Sequence, residues 1–219
     1  MADLVFNRKF VQKIIDMKYI QRDILTYFRK FYDTFPTVTL CGPRQSGKTT
    51  FCKKEFPDLD YVNFENSGIR QIAYEDPISF VGQYKKGAIF DEVQLVPEIF
   101  SALQLLIDED RFNNHNNRKF ILTGSSNFAL LPNLRQSLAG RTGILTLLPF
   151  SLHELQEGGF YNTVDEYIYL GGYPGIWDSD FNMKTDIMES YINTYVERDV
   201  RRIMEVKDLN KFTTFLKLC

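Results

Sequence analysis

One run of the chain gathers the residue types that hold a phosphate: Gly42-Pro43-Arg44-Gln45-Ser46-Gly47-Lys48-Thr49, followed by Thr50. Its spacing is glycine, four residues, then Gly-Lys-Thr. Glycines let the backbone wrap closely around a phosphate, and the amides of residues 45–50 then point inward. A helix opening at Gly47-Lys48 adds a favourable dipole. In that pattern Lys48 reaches the terminal phosphates and the Thr49 hydroxyl ligates Mg²⁺. The plainer alternative is a glycine-rich turn with a chance lysine. The strand-like run before the motif and the helical run after it favour phosphate binding.

A second group is Ala88-Ile89-Phe90-Asp91-Glu92, an apolar strand running into two acids. Asp91 is placed to hold Mg²⁺ through water, and Glu92 to position or deprotonate a water that attacks a γ-phosphate. Many strands end in acids at a turn, so the pair gains its meaning from the glycine-rich loop upstream. A third group, Thr123-Gly124-Ser125-Ser126-Asn127, closes another apolar strand. Thr123, Ser125 or Asn127 would place a hydroxyl or amide near the γ-phosphate and its water. The alternative is a Gly-Ser turn capping the next helix.

Arg141, beside Gly140, can serve a phosphate in its own or a neighbouring subunit. The plainer account is a surface arginine or one paired with an acid. Arg198, Arg201 and Arg202 form a basic turn that would face nucleotide, nucleic acid or a partner. A solvated face with a Glu197–Arg201 pair is the plainer account. His115 and His153 show no ligand spacing, and no Gly-x-Ser-x-Gly elbow supports a serine hydrolase.

These groups need strands that end where they begin. The patterns predict strands at 37–41, 59–64, 87–90, 119–123 and 143–148, separated by helices at 47–55, 77–84, 97–109 and about 133–139. Alternating strands and helices predict a parallel sheet covered on both faces. A strand lies between the glycine-rich loop and the Asp-Glu pair, so the strands bearing those motifs need not be neighbours. The pattern favours an ATPase with an inserted strand over a small P-loop kinase. Apolar spacing at residues 8–32 predicts one long or two short amphipathic helices ahead of this domain. Beyond Pro149 the patterns predict helices at 151–158, 163–170 and 182–204, with a Gly-Gly-Tyr-Pro turn at 171–174. The expected division is 1–35 helical segment, 36–149 P-loop domain and 150–219 helical lid.

The whole chain has 219 residues, 44% of them hydrophobic and 25% charged, which excludes collagen-like, low-complexity and fully disordered classes. A formal net charge of −2 advertises no global nucleic-acid field. Three cysteines, Cys41, Cys52 and Cys219, make no metal spacing and suit a reducing compartment. No signal-peptide pattern and no span of roughly 18–20 apolar residues is present, so the expectation is a soluble cytoplasmic protein.

Taken together, GPRQSGKTT, YVNFE, EDP, IFDEVQLVPEIF, FILTGSSNFALL, SLAGR, LLPFSLHEL, GGYP and YVERDV resemble the prokaryotic AAA-type ATPases with a DUF4143 region, the AAA_14 family. The resemblance runs from about residue 36 to the end. It implies an ATP-binding core of the additional-strand type, a five-stranded parallel sheet, and a helical, winged-helix-like segment after it. It implies Lys48 and Thr49 as the P-loop pair, Asp91 and Glu92 as metal and water residues, and Arg141 as an arginine sensor or finger. ATP as the nucleotide comes from the resemblance alone. Such proteins usually continue into a nuclease-like region, so the chain is expected to be truncated before it, and no nuclease residue carries over.

The function expected is binding and hydrolysis of Mg·ATP, coupled to movement of the helical C-terminal segment. A homo-oligomer would supply Arg141 in trans. The rivals are a nucleotide-dependent switch with little turnover, the ATPase subunit of a DNA-processing system, and a kinase acting on a small acceptor. A DNA or protein partner has no support from charge.

Overall fold

After Pro36 the β-branched run Thr37-Val38-Thr39 opens the first strand, as its composition requires. The computed structural model describes residues 19–114, 118–124, 137–160, 163–179 and 183–195, together with 211, 212, 214 and 215. Its strands are β1 (Thr37–Cys41), β2 (Asp60–Asn63), β3 (Ala88–Asp91), β4 (Phe120–Gly124) and β5 (Thr142–Thr146). All pair in parallel, in the order β2-β3-β4-β1-β5. β4 lies between β1 and β3, so the inserted strand is present. The fold is the α/β, five-stranded parallel class expected from the motifs.

β1, β3 and β4 are buried along their whole length, whereas the edge strands β2 and β5 are partly exposed. That is how a sheet covered on both faces distributes burial. Successive residues pack on opposite faces. Phe90 and Leu122 join Phe64, Phe80, Phe100 and Phe120 on one side; Ile89 and Ile121 join Phe28, Leu40 and Phe51 on the other.

Among its described residues, the helices of this unit include α1 (Leu25–Thr34), α2 (Lys48–Glu55), α3 (Ser67–Glu75), α4 (Pro77–Gly82) and α5 (Glu98–Phe112). Local chemistry sets their starts. The Asn66 side chain accepts from the amides of Gly68 and Ile69 to cap α3. Asp76 caps α4 through Ser79, with Pro77 at the first helical position. The pattern reading did not include α3, nor a 3₁₀ turn at Val93–Leu95.

The chain divides into two units. One is Arg22–Pro149; the other holds the described residues before Arg22 and those from Phe150 on. The expected 1–35 segment is therefore split. Leu25 and Phe28 of α1 are buried in the same core as Val38, Leu40 and Ile121, which makes α1 part of the sheet unit.

The second unit, among its described residues, is helical: α6 (Leu152–Gly158), α7 (Val164–Leu170), α8 (Pro174–Trp177) and α9 (Lys184–Tyr195). Ser151 and Glu154 form a reciprocal capping box at α6. Ile20, Leu155, Leu170, Ile176 and Trp177 make its core. The Gly-Gly-Tyr-Pro turn leads directly into α8, and the Trp177 indole N–H donates to the Gly171 carbonyl at 2.8 Å. His115, Ser125, Asn127, Arg198, Arg201, Arg202, most of the helix at 133–139 and the last part of the helix at 182–204 lie outside the described residues. Among the described residues no helix is long and apolar enough to cross a membrane.

Candidate functional site

β1 ends at Cys41 and the chain turns at once into the glycine-rich loop. Gly42 has φ +151°, and a Cβ there would stand 2.1 Å from the Leu147 carbonyl oxygen, so only glycine fits. Gln45 (φ 60°) and Gly47 (φ 94°) are left-handed, which curls the loop around its own amides. Gly47 precedes α2 with no side-chain cap, and the first turn of α2 carries no acid. Its leading N–H groups are thus left for an external acceptor. Ser46 is fully buried and its Oγ has no hydrogen-bond partner. These features fit an anionic group with several oxygens, and a nucleotide's phosphates have that chemistry.

Lys48 is 6% exposed, and its ammonium donates to the carbonyls of Gly42 at 2.9 Å and Pro43 at 2.8 Å. Burial holds its pKa below the usual lysine range, opposed by the Glu92 and Asp91 carboxylates. Arg44 makes a 4.0 Å ion pair with Glu65, and Thr50 is exposed in the first turn of α2.

Asp91, at the tip of β3, gathers three hydroxyls. Thr49 donates to Oδ2 at 2.8 Å, Tyr61 donates to the same oxygen at 2.7 Å, and Thr123 donates to Oδ1. The register explains Thr123: β3 and β4 pair Phe90 with Leu122, which sets the next residues, Asp91 and Thr123, side by side. Thr49 and Asp91 offer the hard oxygen donors that Mg²⁺ takes. Among the described residues no cluster of three or more His, Cys, Asp or Glu is suited to a metal. A site of one carboxylate and one hydroxyl does not make such a cluster.

Glu92 follows with φ 56° and ψ 42°, a left-handed conformation uncommon for a non-glycine residue. Its carboxylate accepts from the Gln94 amide at 2.5 Å. The turn thus separates the two acids: Asp91 stays with the strand, and Glu92 is held by the turn after it.

Arg141 is elsewhere. It precedes β5, and its carbonyl accepts from the Thr37 amide, at the end of the sheet where β1 begins. The five residues of β1, about 16 Å of strand, separate that end from Gly42. Its guanidinium forks onto Asp108, Nε to Oδ1 at 2.8 Å and Nη2 to Oδ2 at 2.7 Å. That guanidinium holds the Asp108 carboxyl below the usual range. Arg141 therefore does not serve its own subunit's loop. Its pairing with Asp108 fits the plainer reading of an arginine paired with an acid.

Two residues escaped the motif reading. Arg22, 4% exposed, donates to the Ser46 carbonyl at 2.9 Å and to the Leu148 carbonyl at 2.6 Å. It ties the glycine-rich loop to the chain leaving β5. Its signal was a cation set among the apolar positions Ile20, Ile24 and Leu25. Tyr61 lies on β2, where its residue type alone marks no site.

The model of the AAA domain family (AAA_14) matches residues 34–156, the glycine-rich loop and all five strands included. The chain belongs to this family. Residues 161–219, beyond the AAA domain, match a domain of unknown function, DUF8612, and not the DUF4143 region expected. The chain is similar to an uncharacterized protein of Methanocaldococcus jannaschii, 30% identical over 200 residues, covering 77% of this chain and 44% of that protein. An uncharacterized protein of Mycobacterium tuberculosis is 26% identical over 187 residues, covering 84% of this chain and 40% of its own length. The chain thus spans less than half the length of these relatives. Among solved structures, the Walker-type ATPase of Pyrococcus abyssi superposes with a TM-score of 0.59 at 15% identity, over 84% of this chain and 77% of that one. A signal transduction ATPase with a tetratricopeptide repeat sensor from Pyrococcus horikoshii gives 0.50 at 16% identity, over 80% and 32%. At these identities the likeness is one of fold.

Proposed function

We propose that the AAA domain binds Mg·ATP and hydrolyses it. The observation that carries this reading is the Thr49–Asp91 hydrogen bond, which joins the glycine-rich loop to the acid of β3 at 2.8 Å. In this reading the loop of 42–49 cradles the phosphates, with Thr50 adding an amide at the helix start. Lys48 exchanges its two backbone carbonyls for phosphate oxygens. Thr49 and Asp91 hold Mg²⁺, which would neutralise charge on the β- and γ-phosphates. Glu92 takes a proton from the water that attacks the γ-phosphorus; the bond to the β–γ bridging oxygen breaks, and ADP and phosphate leave. Thr123, already on Asp91, or Ser125 senses the γ-phosphate. Arg141 acts on a neighbouring copy, which requires a homo-oligomer and release from Asp108. Nucleotide state then moves the helical C-terminal segment.

The family membership and the uncapped loop support nucleotide binding. The charge-assisted contacts at Asp91 support the metal role. The test is phosphate release from Mg·ATP over a range of protein concentrations. Activity per chain that rises with concentration, and is lost in Arg141→Ala but restored by mixing that variant with Glu92→Gln, supports hydrolysis with an arginine from a neighbour. Activity per chain independent of concentration removes the trans role of Arg141. ATP binding without phosphate release moves the reading to a nucleotide-dependent switch.

A further inference from the structure

The Asp91 carboxylate receives one contact that the nucleotide-binding motifs do not account for. Tyr61 is half-buried on β2, and its phenol donates to Oδ2, the same oxygen that takes the Thr49 hydroxyl. With Thr123 on Oδ1, described hydroxyls occupy three of the roughly four acceptor positions of a carboxylate. The position left is on Oδ1. The Tyr61 ring is itself fixed from α2, where the Lys53 ammonium lies 3.5 Å from the ring centroid. A chain of contacts therefore runs from the loop's own helix through Lys53 and Tyr61 back to the acid that ends β3.

We infer that Tyr61 is a positioning residue for the metal: its hydroxyl locks the Asp91 carboxylate so that one Oδ1 acceptor site faces the water shell of Mg²⁺. This rests on the reading of Thr49 and Asp91 as the metal pair. The physical case is that a carboxylate turns about its last bond unless both oxygens are tied. Thr49 can donate to Oδ2 while a lone pair of its oxygen faces the metal, and Tyr61 adds a second donor that holds the same oxygen from the neighbouring strand. Tyr61 approaches from the neighbouring strand, beside the Thr49 hydroxyl, and its phenol adds a donor to Oδ2 that does not come from the glycine-rich loop. Partners that orient metal-binding groups typically change metal affinity by about 10–100-fold when removed.

The test is Tyr61→Phe, which keeps the ring, its packing and the Lys53 contact and removes only the hydroxyl. Binding of a fluorescent ATP analogue is followed first in EDTA and then during titration with Mg²⁺, so no turnover is required. In EDTA the variant binds the analogue as the wild type does. The Mg²⁺ concentration for half-maximal response rises about tenfold or more. Lys53→Met, which keeps the hydroxyl, shifts the midpoint less. An unchanged Mg²⁺ midpoint in Tyr61→Phe, with an unchanged thermal midpoint showing that the variant is folded, overturns the inference. Asp91→Asn separates the two levels. A Mg²⁺ response that survives in Asp91→Asn overturns the metal reading itself. A response lost in Asp91→Asn and untouched in Tyr61→Phe overturns the role of Tyr61 alone.

Discussion

Thr49 and Asp91 stand 42 positions apart in the chain, and the threonine hydroxyl donates to the carboxylate at 2.8 Å. Two neighbouring elements bring this about. α2 starts immediately after the loop from β1, and β4, between β1 and β3, sets the spacing across which the acid faces the hydroxyl. The strand order is therefore part of the site, because Thr123 of the inserted strand supplies a further donor to Asp91.

Gly42 has no room for a side chain. Gly42→Ala places a Cβ against the Leu147 backbone oxygen in a backbone conformation that side chains avoid. A cost of about 3 kcal/mol or more is expected, read as a lowered urea midpoint. A variant of wild-type stability contradicts the packing described.

Arg22 holds two carbonyls, on Ser46 and Leu148. Arg22→Met leaves the buried Ser46 carbonyl and the part-buried Leu148 carbonyl short of a donor, an expected loss of about 1–3 kcal/mol, together with weaker nucleotide binding. Arg22→Lys rescues little, since one ammonium does not reproduce the planar fork. Full rescue by lysine would show that charge alone matters there.

Arg141 and Asp108 are a partly exposed pair, so Arg141→Ala costs under about 1 kcal/mol and leaves ATP affinity intact. The same variant lets the Asp108 carboxyl return upward toward its ordinary range, a change visible in an NMR titration. Lost ATP binding in this variant would contradict the placement of Arg141 at the far end of the sheet.

Burial pushes the Cys41 thiol up to about 11, partly opposed by Lys48, from a value of 9.0 when unburied. Between those values the folded chain keeps a proton that the unfolded chain has lost. The contribution of this group to stability is thus full below about pH 9 and falls as pH rises toward about 11. Wild type should lose about 1–2 kcal/mol more than Cys41→Ala between roughly pH 8 and pH 10.5. Parallel pH profiles would contradict the burial of this thiol.

Much of this was legible in the residues. Gly42 through Thr49 announced the loop because phosphate binding constrains residue type and spacing together. Asp91 and Glu92 were legible because they end an apolar strand. The patterns located all five strands, since the interior strands are continuous apolar runs. Tyr61 and Arg22 were not legible: each acts through contacts distant in sequence, and neither residue type marks a phosphate or metal site by itself. The helix α3 was hidden by its Ser67-Gly68 start, where the decisive feature is the Asn66 cap. Arg141 showed why spacing alone misleads, since position after the fourth strand does not say which end of the sheet a residue occupies.

The central claim is that the loop and the β3 acids bind Mg·ATP and that Glu92 activates water. Its most direct test measures ATP affinity and phosphate release on the same samples of wild type and Glu92→Gln. The account predicts comparable affinity in both, with release in the wild type reduced by about 10²-fold or more in the variant. Equal release from both, or no ATP binding by the wild type, would contradict it.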